Sequence, residues 1–403
     1  MPPKKRDPIK KVTLADGSVR WRFVIDVGTK PDGKRDQDTF TFDSLKEARN
    51  ERATIIAARA NGTYVVASKV TVAEQCALWL AGKRNLKAGT RRTYEDNLRH
   101  AVDRIGHLPL QKVTKGDIDK MVDDMLASGR RVGNVQRQSL GAATVNRTLT
   151  VLQAVFEDAE KQGRLGRNVV RLVDRPTETK AEMNTWTAEQ AAAFLQLAAD
   201  DRLAAGWQIS LYGLRRSEVL GLRWTDVDLI GKTLTVRNAR KSVAGVIVEE
   251  DPKTVRGKRT LPLDDDLVDA LARLQLRQRE EAEKAGEAYQ PTCPLCRGGH
   301  VIADELGQPY RPEWYGDRFE ALAKAAKLPK IRLHDARHTC GTLMHLRGVP
   351  VAVISKWLGH AKASFTVDTY VHSQDEALTA AAVTLRGAYG GLSTAKNVDV
   401  TKP

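Results

Sequence analysis

The stretch "IRLHDARHTCGTL", residues 331–343, contains two histidines four residues apart, with an acid after the first and an arginine between them. As H-D-A-R-H, it nearly matches H-E-x-x-H, in which two helical histidines hold zinc and the acid acts as a base. As H-x-x-R, it places His334 and Arg337 one helical turn apart, and a neutral donor or base beside a permanent cation suits a phosphate. The two interpretations predict different enzymes, a zinc hydrolase or an enzyme that acts on phosphate.

The composition favours a polyanionic partner. The chain has 403 residues, and its 65 Lys and Arg against 50 Asp and Glu give a formal net charge of +15. At about 150 residues per domain, this length predicts two or three domains. Nucleic acid is the leading partner for such a charge, and the alternative is a basic but inert surface. No apolar run approaches the roughly 20 residues of a membrane span, and "MPPKKRDPIKK" lacks the apolar core of a signal peptide. We therefore expect a cytoplasmic protein with no membrane partner.

The cysteines do not predict a disulfide framework, because four are too few for a chain of this length. Cys293 and Cys296 form a C-x-x-C, with His300 nearby as a conceivable third zinc ligand. A structural zinc site needs a fourth ligand, and the other two cysteines, Cys76 and Cys340, lie in predicted helices far in sequence from Cys293 and Cys296. An exposed loop is therefore favoured over a metal site.

The first region, residues 1–65, is predicted to be a three-stranded sheet with a helix. "VRWRFVIDVG" and "QDTFTFDS" alternate apolar and polar residues on either side of a polar turn, as strands do. Trp21, Phe23 and Ile25 would share one face, and Arg20 and Arg22 would lie on the other. A basic face on so small a domain indicates a binding surface.

The second region, residues 66–176, is predicted to be helical throughout. Apolar residues recur at spacings of three and four, as in Leu149, Leu152, Val155, Phe156 and Ala159. Predicted helix N-caps along the chain are Ser44, Thr90, Thr114, Thr144 and Thr187.

The third region, residues 177–390, is predicted to be mostly helical with a small antiparallel sheet, and residues 391–403 to be a flexible tail. "KTLTVRNAR", "GVIVEED" and "RTLPL" alternate as short strands, and a helix follows from about Asp266 to Lys284. The expected fold class is therefore a multidomain, mainly α protein with an N-terminal sheet and an α+β third domain.

Four motifs of the third region resemble those of the tyrosine recombinases of the phage integrase family. In chain order they are "YGLRRSEVLGLRW", "DPKT…RTLPL", "LHDARHTCGTL" and "LGHAKASFTVDTYVH". The resemblance covers the whole third region as a catalytic domain. More weakly, the second region is similar to the family's core-binding domain and the first to its arm-binding domain. One departure is Ala336, where leucine is usual in the family.

The chemistry of strand cleavage fits residues in these motifs. A phenol can attack a phosphodiester, and with a pKa of about 10 it leaves readily when the strand is rejoined, which suits Tyr370 as nucleophile. The alternative for Tyr370 is a core aromatic. Arg215 and Arg337 match the family's two arginines, planar donors for the phosphate oxygens. Glu218 would orient Arg215, or form an ordinary ion pair with it.

The resemblance also implies proton donors for the reaction. Lys253 matches the hairpin lysine that acts as general acid for the departing 5′ oxygen, and Lys258 is its local competitor. His334 and His360 are expected to donate to the phosphate and to shuttle protons near neutral pH. His338 is left for packing or capping. The zinc interpretation is disfavoured because it lacks a third ligand and would place an arginine beside the metal.

Other basic residues are candidate DNA contacts, with a solvated charged surface as the alternative. In the first region they are Arg20 and Arg22 on the strand face and Lys34 and Arg35 in the turn. Near predicted helix starts, where basic residues and N–H groups suit phosphates, they are Arg91, Arg92, Lys115 and Arg147. Arg216 is assigned to the surface or to DNA.

The function that these expectations support is a DNA integrase of a phage or mobile element, acting in the cytoplasm of a bacterial host. It would need neither metal nor cofactor. The expected partners are double-stranded attachment sites, a homotetramer on DNA, an excisionase-like directionality factor and a host DNA-bending protein. The alternatives are a resolvase or transposon-type recombinase, a sequence-specific DNA-binding protein that does not cleave, and, most weakly, a zinc hydrolase.

Overall fold

The computed structural model describes residues 7–29, 33–61, 64–128, 130–132, 136–179, 184–250, 257–290 and 299–360. The chain divides into two compact units, Met1–Lys180 and Ala181–Pro403. The predicted residues Lys253, Tyr370, Cys293 and Cys296 lie outside the described residues. Among the described residues, no helix combines the length and apolar character that crossing a membrane requires.

The first unit begins with a sheet and one helix and continues as a helical bundle. Its elements are β1 (Lys10–Thr13), β2 (Val19–Thr29), β3 (Arg35–Phe42), α1 (Leu45–Ala60), α2 (Val72–Ala81), α3 (Ala88–Ile105), α4 (Lys115–Ser128), β4 (Arg130–Val132), β5 (Gln136–Gln138) and α5 (Ala142–Lys161). A short antiparallel hairpin between the third and fourth helices of the bundle corrects the prediction that residues 66–176 are helical throughout.

The N-terminal sheet has the strand order β1-β2-β3, with both pairs antiparallel, which confirms the predicted three strands. Phe23 and Ile25 are buried on the face that α1 covers, and Phe23 stacks on Phe40 with ring centroids 5.2 Å apart. Successive strand residues point to opposite faces, so Arg20 and Arg22 lie on the other face, as predicted. That face is available for binding because α1 does not cover it.

The helical bundle has its own hydrophobic core. The predicted stripe of α5 is buried, as the periodicity indicated: Leu149, Leu152, Val155, Phe156 and Ala159. Ser44 caps α1, and Thr114 exchanges hydrogen bonds with Asp117 at the start of α4, as an N-cap does.

Two predicted N-caps of the bundle are wrong. The N-cap of α3 is Lys87 and the N-cap of α5 is Gly141, and both have extended backbone angles. Both helices therefore start before the expected threonine, and Thr90 and Thr144 lie within the first turn. A threonine at such a position is compatible with helix, so the side-chain preference alone did not locate the boundary.

The second unit is mostly helical with two small antiparallel sheets. Its elements are α6 (Ala188–Leu197), α7 (Ala204–Leu211), α8 (Arg216–Leu220), β6 (Val227–Asp228), β7 (Thr233–Val236), β8 (Ala239–Val243), β9 (Val246–Glu250), β10 (Arg259–Pro262), α9 (Asp265–Ala285), α10 (Pro312–Ala325), α11 (Leu333–Leu346) and α12 (Val351–Leu358).

The predicted sheet of this unit is two separate sheets. β10, β7 and β6 form one, and Leu234 and Leu261 point from it into the core. β8 and β9 form a separate hairpin that packs against α8 and α10. Packing onto different helices explains the division, which strand periodicity alone cannot predict.

Aromatic side chains fill the centre of the second unit. Trp207 stacks on Tyr315 with ring centroids 4.4 Å apart, and Phe319 contacts both Trp186 and Phe194. The indole of Trp186 donates to the carbonyl of Pro329 at 2.9 Å. This core supports α7, α10 and α11, and two of the predicted site residues lie on α11.

Candidate active site

Four predicted site residues converge near the end of α12. Arg215 immediately precedes α8, His334 and Arg337 lie on α11, and His360 follows α12. The charges of both arginines act on both histidines, and Arg215 Nη2 donates to the carbonyl of Gly359 at 3.3 Å. Residues far apart in sequence thus form one cation-rich site.

Two glycines make this close approach possible. Gly359 ends α12 in the left-handed conformation, with φ of 66°, and so turns the chain into His360. Gly213 has φ of 98°, and a Cβ there would lie 2.7 Å from Cδ2 of Leu358 and 3.1 Å from Sγ of Cys340. Only glycine satisfies both the backbone angle and the space at position 213.

Arg337 is buried at the centre of the site, with 2% of its surface exposed. Its Nη1 donates to the carbonyl of Gly213 at 2.7 Å, and its Nη2 donates to the carbonyl of Leu358. These bonds use two of the five N–H groups of a guanidinium and join α11 to the turn after α7 and to the end of α12. Arg337 is therefore both a fixed positive charge and a structural tie.

Glu218 forms an ion pair with Arg215, and it also binds a residue that the sequence analysis did not single out. Glu218 Oε1 accepts from Arg215 Nη1 at 2.6 Å, and its Oε2 accepts from the backbone N of Arg215 at 3.0 Å. Arg259 Nη2 donates to the same carboxylate at 3.0 Å. Burial alone would raise the pKa of Glu218, but the Arg259 and Arg215 charges outweigh it and lower the pKa.

The two site histidines are neutral at neutral pH. Burial, reinforced by the charges of Arg337 and Arg215, lowers the pKa of His360 to about 3. Desolvation, with the nearby His338, Arg337 and Arg215, lowers the pKa of His334 to about 4, although His334 as a whole residue is exposed. The structure therefore differs from the expectation of titration near pH 7, because the same cations that suit an anion oppose protonation.

The low pKa of His360 predicts that acid destabilises the protein. Below the ordinary histidine pKa of about 6.5, the unfolded chain binds a proton that the folded chain does not, so the free energy of unfolding falls as pH drops. In urea titrations between pH 7 and 5, we expect His360→Gln to reduce this fall. Equal pH slopes in wild type and His360→Gln would contradict the prediction.

The residues of the zinc interpretation are arranged for other contacts. The Asp335 carboxylate accepts from Arg332 Nε at 2.9 Å and from Arg332 Nη2 at 2.8 Å. The rings of His334 and His338 meet edge to face, with centroids 5.1 Å apart. His300 is 2% exposed, and its Nε2 lies 3.0 Å from Oε1 of Glu249. Within the described part of the chain, no cluster of three His, Cys, Asp or Glu could hold a metal.

Two grooves open from the site. One of about 560 Å³ is lined by six basic or imidazole side chains, among others: Arg215, Arg216, Arg240, Lys241, Arg332 and His334. The other, of about 770 Å³, lies between β10 and α12, and its lining includes Lys258, Arg259, Lys356 and His360. A phosphate at Arg215 would thus have a mainly basic groove beside it, although Asp317 and Glu320 also line that groove.

The predicted DNA contacts of the first unit vary in exposure and pairing. Arg147 is exposed, whereas Arg92 pairs with Asp96 and Lys115 with Asp119, each one helical turn away. Arg91 donates to the carbonyl of Lys83. On the sheet, Arg20 pairs with Asp43, Arg22 donates to Thr41, and Lys34 and Arg35 are exposed. The surface pairs must be exchanged for phosphate contacts if these residues bind DNA.

Comparison with known proteins identifies the family of the catalytic region. Residues 183–377 match the model of the phage integrase family. A tyrosine recombinase XerC-like protein of Caldanaerobacter subterraneus subsp. tengcongensis is 26% identical over 394 residues, which are 93% of this chain and 98% of that protein.

Solved structures share the fold. The Tn1549 transposon integrase, in complex with a circular intermediate DNA, has a TM-score of 0.64 and 22% identity, covering 78% of this chain and 99% of that one. A lambda integrase tetramer bound to a Holliday junction has a TM-score of 0.51 and 16% identity, covering 90% and 96%. Residues 183–377 thus match the phage integrase family, and together with the site these matches support a tyrosine recombinase, a site-specific recombinase that cuts and rejoins DNA.

Proposed function

We propose that the protein is an integrase that inserts and excises a phage or other mobile element through 3′-phosphotyrosyl links and a Holliday junction. The observation that carries the proposal is the convergence of both arginines beside His360, where Arg215 donates to the Gly359 carbonyl and Arg337 to the Leu358 carbonyl. The chain runs from His360 directly into the segment that holds Tyr370.

The proposed reaction uses the site residues in sequence. Arg215 and Arg337 bind the non-bridging oxygens of the scissile phosphate and stabilise the charge that develops on them. As the Tyr370 oxygen bonds to phosphorus, its proton passes to solvent, the bond to the 5′ oxygen breaks, and Lys253 protonates that leaving oxygen. Neutral His334 and His360 donate hydrogen bonds to the phosphate.

The bond energy is retained in the phosphotyrosine, so the reaction needs no nucleotide cofactor and no metal. A 5′ hydroxyl reverses the first step by attacking phosphorus and releasing the tyrosine. Exchange of strands between two duplexes before this reversal gives the Holliday junction.

The regions of the chain divide the DNA contacts among them. We assign residues 1–65 as an arm-type DNA-binding domain, 66–176 as a core-binding domain and 177–390 as the catalytic domain, followed by a tail at 391–403. Arg20, Arg22, Lys34 and Arg35 would contact arm DNA. Arg91, Arg92, Lys115 and Arg147 would contact core DNA, and Arg216 would contact DNA from the basic groove beside Arg215.

The proposed assembly is a homotetramer on paired double-stranded attachment sites. The similarity of this chain's fold to that of lambda integrase, which forms a tetramer on a Holliday junction, supports the proposal. A separate arm-type domain lets one chain bridge two DNA sites, which adds avidity through the linker. An excisionase-like directionality factor and a host DNA-bending protein would then select integration or excision by changing which arm sites can be bridged. The proposed location is the cytoplasm of a bacterial host.

Incubation with nicked DNA from the flanks of its own gene tests the proposal. A nick beside the cleavage site lets a short fragment diffuse away, which traps the covalent protein–DNA adduct for detection on a denaturing gel. We expect the adduct to form fully in excess chelator, because fixed side-chain cations supply the charge stabilisation. Adduct formation that chelator abolishes and added zinc restores would contradict this mechanism.

A further inference from the structure

Arg259 is a buried cation that the reaction described above does not use. It lies at the start of β10, and 6% of its side chain is exposed. Nη2 donates to Glu218 Oε2 at 3.0 Å and Nη1 to Glu218 Oε1 at 3.3 Å, so the guanidinium takes both carboxylate oxygens. Glu218, with 4% of its side chain exposed, is thus held by Arg259 from one side and by Arg215 from the other.

Arg259 also reaches the end of α12. Its Nε donates to the carbonyl of Trp357 at 2.6 Å. Two residues later, the carbonyl of Gly359 accepts from Arg215 Nη2 at 3.3 Å. The contacts form a closed circuit from Arg215 through Glu218 and Arg259 to the end of α12 and back to Arg215.

The charges of this circuit favour a fixed geometry. One carboxylate between two guanidiniums leaves a net positive charge, so pairing with Glu218 does not cancel the field at Arg215. With Arg259 removed, Arg215 would be the cationic partner left to the buried carboxylate within the described part of the chain. It could then turn towards Arg215 and compete with a phosphate for the same N–H groups.

We propose that Arg259 is a positioning residue for strand cleavage. It acts through Glu218 on the orientation of Arg215, and through the Trp357 carbonyl on the end of α12 that leads to His360. The inference rests on the proposed function and adds to it a residue that works without contacting the scissile phosphate. Loss of Arg259 therefore affects the cleavage rate more than DNA binding.

The test compares Arg259→Gln and Arg259→Lys with wild type in single-turnover adduct formation at saturating DNA. We expect Arg259→Gln to slow cleavage by about 10- to 100-fold, the scale of a misplaced catalytic group, with DNA affinity within about twofold. Lysine keeps the charge but cannot bind both carboxylate oxygens in the same way, so Arg259→Lys should recover part of the rate.

Arg202→Gln is the matched control. Arg202 forms a similar, largely buried ion pair with Glu281 in the same unit. Thermal unfolding of the three variants shows how much stability each loses, and we expect the Arg202 variant to cleave at the wild-type rate. If Arg259→Gln does not fold, Arg259→Lys alone decides, and a wild-type rate in that variant overturns the proposal.

A double-mutant cycle identifies the route of the effect. If Arg259 acts through Glu218, the rate losses of Arg259→Gln and Glu218→Gln should not add in the double variant. Additive losses, or a wild-type rate in Arg259→Gln, would overturn the positioning role. The proposed function would still stand in either case, provided that the wild-type protein itself cleaves DNA. A wild-type protein that forms no adduct would instead overturn the proposed function, and the positioning role with it.

Discussion

Replacement of Tyr370 by phenylalanine is expected to abolish the covalent protein–DNA adduct while leaving DNA affinity within about twofold, since binding is spread over many phosphate contacts. The substitution removes one oxygen atom and keeps the aromatic ring. Without that oxygen no phosphotyrosyl bond can form, and the remaining charges of the site can bind the phosphate but not cleave the strand. The loss should therefore be complete.

Trapping on nicked DNA, followed by proteolysis and mass mapping of the peptide that carries the nucleotide, measures the result. Tyr310→Phe is the control, because Tyr310 stacks on Trp314 and does not line either groove of the site. That variant should form the adduct as wild type does. A phosphorylated peptide that lacks Tyr370, or an adduct in Tyr370→Phe, would assign the nucleophile to another residue.

The elements that the sequence predicted well are those with local signals. The buried stripe of α5 from Leu149 to Ala159 was predicted because its apolar residues recur at helical spacing within one continuous segment. The strand faces of the first region were predicted for the same reason, since alternation over a few residues suffices. Local signals failed at Thr90 and Thr144, where several adjacent residues are compatible with a helix start.

The long-range contacts of the site were not accessible from periodicity. Arg215 and Arg337 are 122 positions apart, and only the resemblance of their motifs to a known family placed them together. Arg259 is the first residue of the quoted motif "RTLPL", six positions after Lys253, so the sequence shows where it lies along the chain. The sequence does not show its bond to Glu218, because that depends on how β10 packs beside α8 and α12.

The histidine pKa values show a similar limit. Sequence alone supplies the ordinary histidine pKa, which lies near neutrality and suggests a proton shuttle. Burial and the two arginine charges, which only the folded chain brings together, lower the pKa of His360 to about 3. His360 is therefore better described as a neutral hydrogen-bond donor, and we expect a lysine to protonate the leaving 5′ oxygen.

Two lysines compete for the role of general acid, and their substitution should give different results. We expect Lys253→Ala to slow cleavage of an ordinary strand by about 100-fold or more, the scale of losing a general acid. Lys258→Ala is the matched control, five positions along the same segment. It should stay near the wild-type rate. Lys258 is a stringent control because it is exposed and lines the groove that contains His360.

A sulfur in place of the 5′ leaving oxygen separates proton donation from any other role. A thiolate is a stable leaving group near neutral pH, since thiols have pKa values of about 8.5, and it departs without a proton. The general-acid variant should therefore regain most of its rate on the sulfur substrate, whereas a variant that merely weakens DNA binding should not. If Lys258→Ala shows the loss and the rescue while Lys253→Ala shows neither, Lys258 is the acid. Rescue in neither variant would mean that the proton comes from a different group, and His334, which lines the basic groove beside Arg215, would become the first residue to test.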